Sequence, residues 1–184
     1  MSDRESRIIQ ATRRKIKWCL IWVGVAVLVL GGLIFWFTSY IQSRQQNLPG
    51  VFYPNMGQTH IAAGTREPDY NSNPPTSGNH WPNPAEWGVY AEELPDEALI
   101  HDLEHGGIWI SYKPDIPEDI RKKLEGFYQK WGRHIIVTPR SANDTDIAVA
   151  AWTRLDKFSI SEYSDERVER FIKAYRNKGP EFVP

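Results

Sequence analysis

The sequence predicts an α+β protein: a small, mainly antiparallel sheet with helices on one side and a long ordered Pro/Gly-rich loop region, preceded by one transmembrane helix. Three observations carry this. From Trp18 to Ile41 no residue is charged, and a hydrocarbon core about 30 Å thick asks a helix for about 20 apolar residues. Residues 51 to 95 are dense in Pro, Gly, Asn and Ser, which suits neither helices nor central strands. From Asp96 onward, stretches of helical and of strand-like spacing follow one another with short breaks, as in helices packed on a small sheet.

The first element is the span, 18–41. Trp18 and Trp22 at one end and Trp36 and Tyr40 at the other suit the two aromatic belts of a bilayer. Arg4, Arg7, Arg13, Arg14, Lys15 and Lys17 precede it, whereas Arg44 stands nearly alone after it. The positive-inside rule then puts 1–17 in the cytoplasm as a basic arm, 42–50 outside as a tether, and 51–184 outside as one exported domain. The apolar run exceeds the 7 to 15 residues or so of a signal peptide, and no small-x-small site follows Tyr40, which indicates an uncleaved anchor in the cell (inner) membrane.

The only cysteine, Cys19, lies in the span. The exported domain therefore forms no internal disulfide and offers no thiolate to a metal. Lys and Arg total 22 against 23 Asp and Glu. With six of the basic residues ahead of the span, the exported part is mildly acidic, which argues against a nucleic-acid partner. The lipid bilayer is the partner the composition implies.

Within the domain, the aromatics Tyr53, Tyr70, Trp81, Trp87 and Tyr90 argue for order in the loop region, because disordered segments are aromatic-poor. A loop this long inside a compact domain usually binds or catalyses. Asp96 is an expected N-cap for a short helix through His105, ended by Gly106-Gly107, and Ile108–Tyr112 is strand-like. Pro117 opens a helix through Trp131, with Ile120, Leu124, Phe127 and Trp131 at helical spacing before Gly132. His134–Thr138 and Ile147–Leu155 read as strands. Ser164 caps a last helix with Val168, Phe171, Ile172 and Tyr175 on one face. Asn143-Asp-Thr145 matches a glycosylation sequon, but between Pro139 and Asp146 it reads as a polar turn.

The chemistry concentrates in the histidines, of which there are five in 184 residues. His101-Asp-Leu-Glu104-His105 on a helix puts two imidazoles and a carboxylate on one face. A first-row transition metal wants three or four nitrogen or oxygen ligands at about 2.0 to 2.2 Å, which such a pair begins to supply and loops complete. His80, after Pro-Pro-Thr-Ser-Gly-Asn, and His60, between Gly57 and Gly64, have the placement of loop ligands. The expected site is thus one copper or zinc ion on His60, His80, His101 and His105. Glu104 is a supporting hydrogen-bond acceptor or a further ligand, and Met56 is a soft donor that would favour copper. Asp102, about 100° round the helix, is a poorer candidate, and His134 reads as an ordinary strand-end residue.

Two other readings stand beside this one. His-x-x-Glu-His is also the inverzincin signature, with Glu104 as general base, which would make the chain a membrane-anchored zinc metallopeptidase. The short chain, and four histidines that tend to close the coordination sphere, argue against it. The third reading is a structural accessory subunit without metal, whose histidines tie the loop to the helix. The leading expectation is metal handling or service to a membrane complex, more naturally a binding protein than an enzyme.

Tyr70-Asn-Ser-Asn-Pro-Pro-Thr-Ser-Gly-Asn-His80, the run His101-x-x-Glu-His-Gly106 with a strand ending in Tyr112, then Ala151-Trp152 and the terminal Gly179-Pro-Glu181 resemble the bacterial and archaeal family labelled domain of unknown function 3105. The resemblance spans essentially the whole exported domain. It implies one N-terminal span before an exported domain and a shared polar site at His60, His80, His101, Glu104 and His105, with no activity attached. Met56 matches no position of that pattern.

Overall fold

The structure, a computed structural model, describes residues 3–46, 48–67 and 69–181, and for 3–14 and 41–46 the backbone alone. The chain divides into two compact units, Met1–Leu48 and Pro49–Pro184.

The first unit is a helix, α1 (Asp3–Gln46). Within it Lys15–Tyr40, 26 residues, is long and apolar enough to cross a membrane. Every side chain in that stretch is exposed, including Trp18, Trp22, Phe35 and Trp36. A helix apolar on every side needs lipid or protein to cover it. The helix runs on through 42–46, so that part of the expected tether has helical backbone.

The second unit is α+β, built on a mixed, mostly antiparallel six-stranded sheet. Its strands are β1 (Val51–Phe52), β2 (Gly88–Val89), β3 (Ile108–Tyr112), β4 (Ile135–Pro139), β5 (Ile147–Ala151) and β6 (Arg154–Phe158), in the order β1-β6-β5-β3-β4-β2. β1–β6, β6–β5 and β5–β3 pair antiparallel, while β3–β4 and β4–β2 are parallel. Three helices accompany them: α2 (Asp96–Glu104), α3 (Glu118–Trp131) and α4 (Asp165–Tyr175).

Local chemistry accounts for most boundaries. Pro117 sits at the N-cap of α3, and Gly132, at φ 63°, ends it. The Ser164 hydroxyl caps α4 by accepting the Arg167 N–H at 3.2 Å. α2 departs from the expected cap: Pro95 holds the N-cap position. The Asp96 carboxylate instead takes both arms of the Arg140 guanidinium, at 2.8 and 2.7 Å, a charge-assisted bidentate pair stronger than a cap bond. The expected strand Ile147–Leu155 is a hairpin, β5 turning into β6 at Trp152-Thr153, where Thr153 takes φ 61°. Asn143 is buried, bonded to Ser111 and Arg140, in keeping with a polar turn.

Alternation along the strands separates two faces. On one, Ile108, Ile110, Ile135, Val137, Ile147 and Val149 pack against Leu124 and Phe127 of α3 and Phe171 and Ile172 of α4. The two amphipathic helices thus share one side. On the other face Trp109, Ile136, Ala148, Ala150 and Leu155 meet Leu99 and Leu103 of α2, with Tyr53, Trp87, Tyr90 and Trp152 from the loops and turns closing the edge. α2 is buried from Glu97 to Glu104, its polar residues included. A helix buried on its polar side must have partners there, and the loop region supplies them.

Candidate metal centre

α2 brings His101, Glu104 and His105 together because positions three and four apart are neighbours on a helix. The other components come from two loop segments that pair like strands. The Gly78 N–H donates to the Gly57 carbonyl at 3.2 Å, His80 N–H to Thr59 O at 3.1 Å, and Ile61 N–H to His80 O at 2.8 Å. This parallel bridge sets His60 beside His80. Trp81 N–H then donates to the Glu97 carbonyl at 3.1 Å, fastening the pair to the first turn of α2. The Pro-Pro-Thr-Ser-Gly run turns inward: Thr76 and Ser77 are fully buried, Thr76 O accepts the Thr153 N–H, and the Ser77 hydroxyl accepts the Met56 N–H. Gly78 takes φ 125°, a conformation that favours glycine.

The rings of His60, His80 and His101 form a triangle with every pair of centroids 5.0 Å apart. Their donor nitrogens and a Glu104 carboxylate oxygen all lie within 4.8 Å of one another. His80, His101 and Glu104 are buried, and His60 is exposed. Two backbone carbonyls orient the rings: His80 Nδ1 faces Gly78 O at 2.8 Å, and His101 Nδ1 faces Trp81 O at 2.6 Å. A carbonyl only accepts, so each Nδ1 carries the proton and, in the neutral ring, each Nε2 presents a lone pair.

His80 Nε2 lies 2.9 Å from Glu104 Oε2, yet neither atom makes a hydrogen bond. A lone pair and a carboxylate oxygen this close, and buried, repel unless a proton or a metal ion supplies positive charge between them. The other Glu104 oxygen accepts from Gln58 Nε2 at 2.6 Å, which fixes the carboxylate. Burial, with smaller contributions from His105 and His80, holds the His101 imidazole below its ordinary 6.5. It therefore stays neutral and able to ligate at neutral pH. Burial also raises the Asp102 carboxyl, on the far side of α2, to about 8; one of its oxygens accepts the Ala85 N–H and the other has no hydrogen-bond partner among the described residues.

His105 belongs to a neighbouring group. Its Nε2 is 3.1 Å from His101 Nε2 and 3.4 Å from Glu181 Oε2, and His101, His105 and Glu181 form a second set of donors within 4.8 Å. Glu181 comes from the C-terminal segment, which docks by backbone on the end of α2. Asn177 N–H donates to Gly106 O at 2.7 Å and Glu181 N–H to Glu104 O at 3.1 Å. Gly106, at φ 80°, and Gly179 permit this: a Cβ on Gly106 would stand 2.8 Å from Gly179 N, and one on Gly179 2.0 Å from Glu104 O.

Of the anticipated residues, the structure thus gathers His60, His80 and His101 with Glu104, and pairs His105 with His101 and Glu181. The Met56 sulfur accepts the Asn71 N–H at 3.1 Å. His134 lies tilted against Trp87, with ring centroids 5.0 Å apart, and is in neither group. Two participants escape sequence reasoning. Gln58 carries no signal beyond being one amide among many in a polar loop, whereas Glu181 sits in the Gly-Pro-Glu run, whose glycine marks a close backbone approach. A cavity of about 870 Å³ lies beside Glu67, Tyr70, Trp81, Asp96 and Arg140 and is lined by no histidine.

No curated protein and no solved structure matches the chain. The profile of a family described as "Protein of unknown function (DUF3105)" matches residues 60–183, taking in both donor groups and the segment that carries Glu181. With more than half of its length matched, the chain belongs to the DUF3105 family.

Proposed function

We propose that this is a membrane-anchored, extracytoplasmic metal-binding protein whose domain holds one copper or zinc ion on His60, His80, His101 and Glu104. The observation that carries the reading is the buried facing pair, His80 Nε2 and Glu104 Oε2, completed by two further imidazoles into a four-donor set. Four ligands about 2.0 to 2.2 Å from an ion stand roughly 3.3 to 3.6 Å apart, so the widest pairs close by about 1 Å while the His80–Glu104 pair opens slightly. Three neutral imidazoles and one carboxylate suit zinc or copper(II), and one negative charge offsets part of the buried dication. The role is metal handling, alone or in the service of a membrane complex, with α1 as anchor and the basic arm in the cytoplasm.

The test is elemental analysis of the purified chain after reconstitution with each ion. One copper or zinc per chain, lost in His80→Ala, is expected. A wild-type chain that takes up neither ion would refute the reading and leave the accessory-subunit alternative. Orientation is checked by protease added outside the sealed membrane, which should digest the domain after Gly50 and spare the N-terminal arm.

The peptidase reading draws support from the second group, since two histidines and a glutamate are a catalytic zinc set. It requires Glu104 to face a metal-bound water as general base. Glu104 is 4% exposed, one of its oxygens is engaged by Gln58 and the other faces His80 Nε2 at 2.9 Å. Glu104-dependent cleavage of an unfolded protein by the zinc form, abolished in Glu104→Gln, would install the peptidase in place of the holder.

A further inference from the structure

The two donor groups share one residue, and the way it is held determines what they do together. His101 belongs to the inner set with exposed His60 and buried His80 and Glu104, and to the outer set with His105 and Glu181. Its Nδ1 proton is committed to the Trp81 carbonyl at 2.6 Å. One lone pair therefore remains, on Nε2, and one lone pair ligates one ion. The sets are mutually exclusive for His101, so the arrangement is not a dinuclear centre.

Their exposures are graded. Along the line from His80 to Glu181, the His80 and Glu104 side chains are 0% and 5% exposed, His105 is 13% and Glu181 54%, while His60, the remaining inner ligand, is itself exposed. Glu181 is held in reach by the docked C-terminal backbone rather than by side-chain packing. A carboxylate that meets solvent, an imidazole behind it, and then an imidazole common to both sets make a continuous line of hard and borderline donors from water to the buried position. An ion passing along it exchanges ligands one at a time, and the 3.1 Å between His101 Nε2 and His105 Nε2 has only to open slightly to match two ligands on one ion.

We infer that His105 and Glu181 form a second, outer metal position that loads and unloads the buried one through His101, a single ion occupying one position or the other. This rests on the metal-holding reading above and assigns the route. The ligand class is a divalent first-row ion, exchanging with donors in the surrounding water or on a delivering protein.

The test uses the full chain in detergent micelles with zinc as the probe. Zinc stoichiometry and affinity are measured at equilibrium, and loading and release rates by stopped flow against a fast chelator, for wild type, Glu181→Gln, His105→Ala and His80→Ala. A route residue changes both rates and leaves their ratio alone, whereas a resident ligand or structural prop changes the ratio. The expected result is one zinc per chain in wild type, Glu181→Gln and His105→Ala. In the two outer variants loading and release slow together by about tenfold or more, the scale on which losing one supporting contact at a metal site is felt. Glu181→Gln, on an exposed side chain, keeps the test valid should His105→Ala fold poorly. Unchanged rates in both outer variants would overturn the relay. So would two zinc ions bound at once, or a lowered affinity in His105→Ala without a matching fall in the loading rate. A wild-type chain without zinc fails differently, removing the buried site itself.

Discussion

The two faces of the sheet are made from the same five-residue strands and differ in nearly everything else. On the α3/α4 face the contacts are aliphatic and aromatic, and the helices that supply them have an exposed polar side. On the other face α2 has no exposed side: its Leu99 and Leu103 pack on the sheet, and its own His101, Asp102 and Glu104 are buried, as is His80 from the loop region. The first arrangement gains stability by removing apolar surface from water at about 25 cal/mol per Å². The second buries charged and polar groups, which costs free energy unless each finds a partner. The sheet thus separates a wholly apolar layer from one in which an apolar cluster also carries buried polar groups that need partners.

The comparison breaks most visibly at Phe171, which is fully buried beside Val168 and Ile172. Phe171→Ala should lower unfolding free energy by about 3 to 5 kcal/mol in a denaturant titration, while the folded fraction still binds metal at wild-type stoichiometry. Loss of metal from folded Phe171→Ala would show that the faces are not separable. An intermediate effect of opposite sign is expected at Asp102. Its carboxyl is raised in the folded state to about 8 from an ordinary 3.8, so folding favours the protonated form. This group's contribution is greatest below pH 4 and declines as pH climbs to 8. In metal-free protein Asp102→Asn should therefore raise Tm at pH 8 by about 3 °C or more, with the gain shrinking toward pH 4. A gain independent of pH would contradict the assignment. The smallest effect belongs to Gln58, which supports Glu104 from outside the donor set. Gln58→Ala should weaken metal affinity by about tenfold in competition with a chelator and leave the Tm of the metal-free domain nearly unchanged.

The pH dependence of metal retention sharpens the same contrast. Burial holds His101 below 6.5, so its neutral form is favoured in the folded state and remains available as pH falls to that value. Protonation at lower pH then competes with the ion. Metal should dissociate on acidification below about pH 6 while the α3/α4 face stays folded, which paired metal analysis and circular dichroism would show.

How much of this was legible in the sequence depended on the range of the interaction. α3 and α4 were readable because Ile120, Leu124 and Phe127, or Val168, Phe171 and Ile172, repeat at helical spacing. The His101–Glu104–His105 set was readable for the same reason. β1 and β2, at two residues each, are too short to show a period. The β5–β6 turn was hidden because Trp152-Thr153 contains none of the usual turn residues, and a β-branched residue at φ 61° is rare. His60 and His80 could be nominated as loop histidines. Their adjacency, however, comes from a bridge between segments distant in sequence, and the split of His105 from the buried set depends on where the last few residues dock.

The backbone contact between Gly106 and Gly179 also has an evolutionary side. Gly106 is required twice over, by its φ of 80° and by the C-terminal segment lying against it, whereas with that segment elsewhere Gly179 would face no Glu104 carbonyl and could vary freely. The dependence is one-sided: a lineage that loses Gly106 loses the docking and, with it, the selection that kept Gly179, whereas Gly106 stays favoured by its own backbone conformation. In a saturation library assayed for metal exchange, neither position should tolerate any replacement alone, and a second change at the partner position should restore nothing.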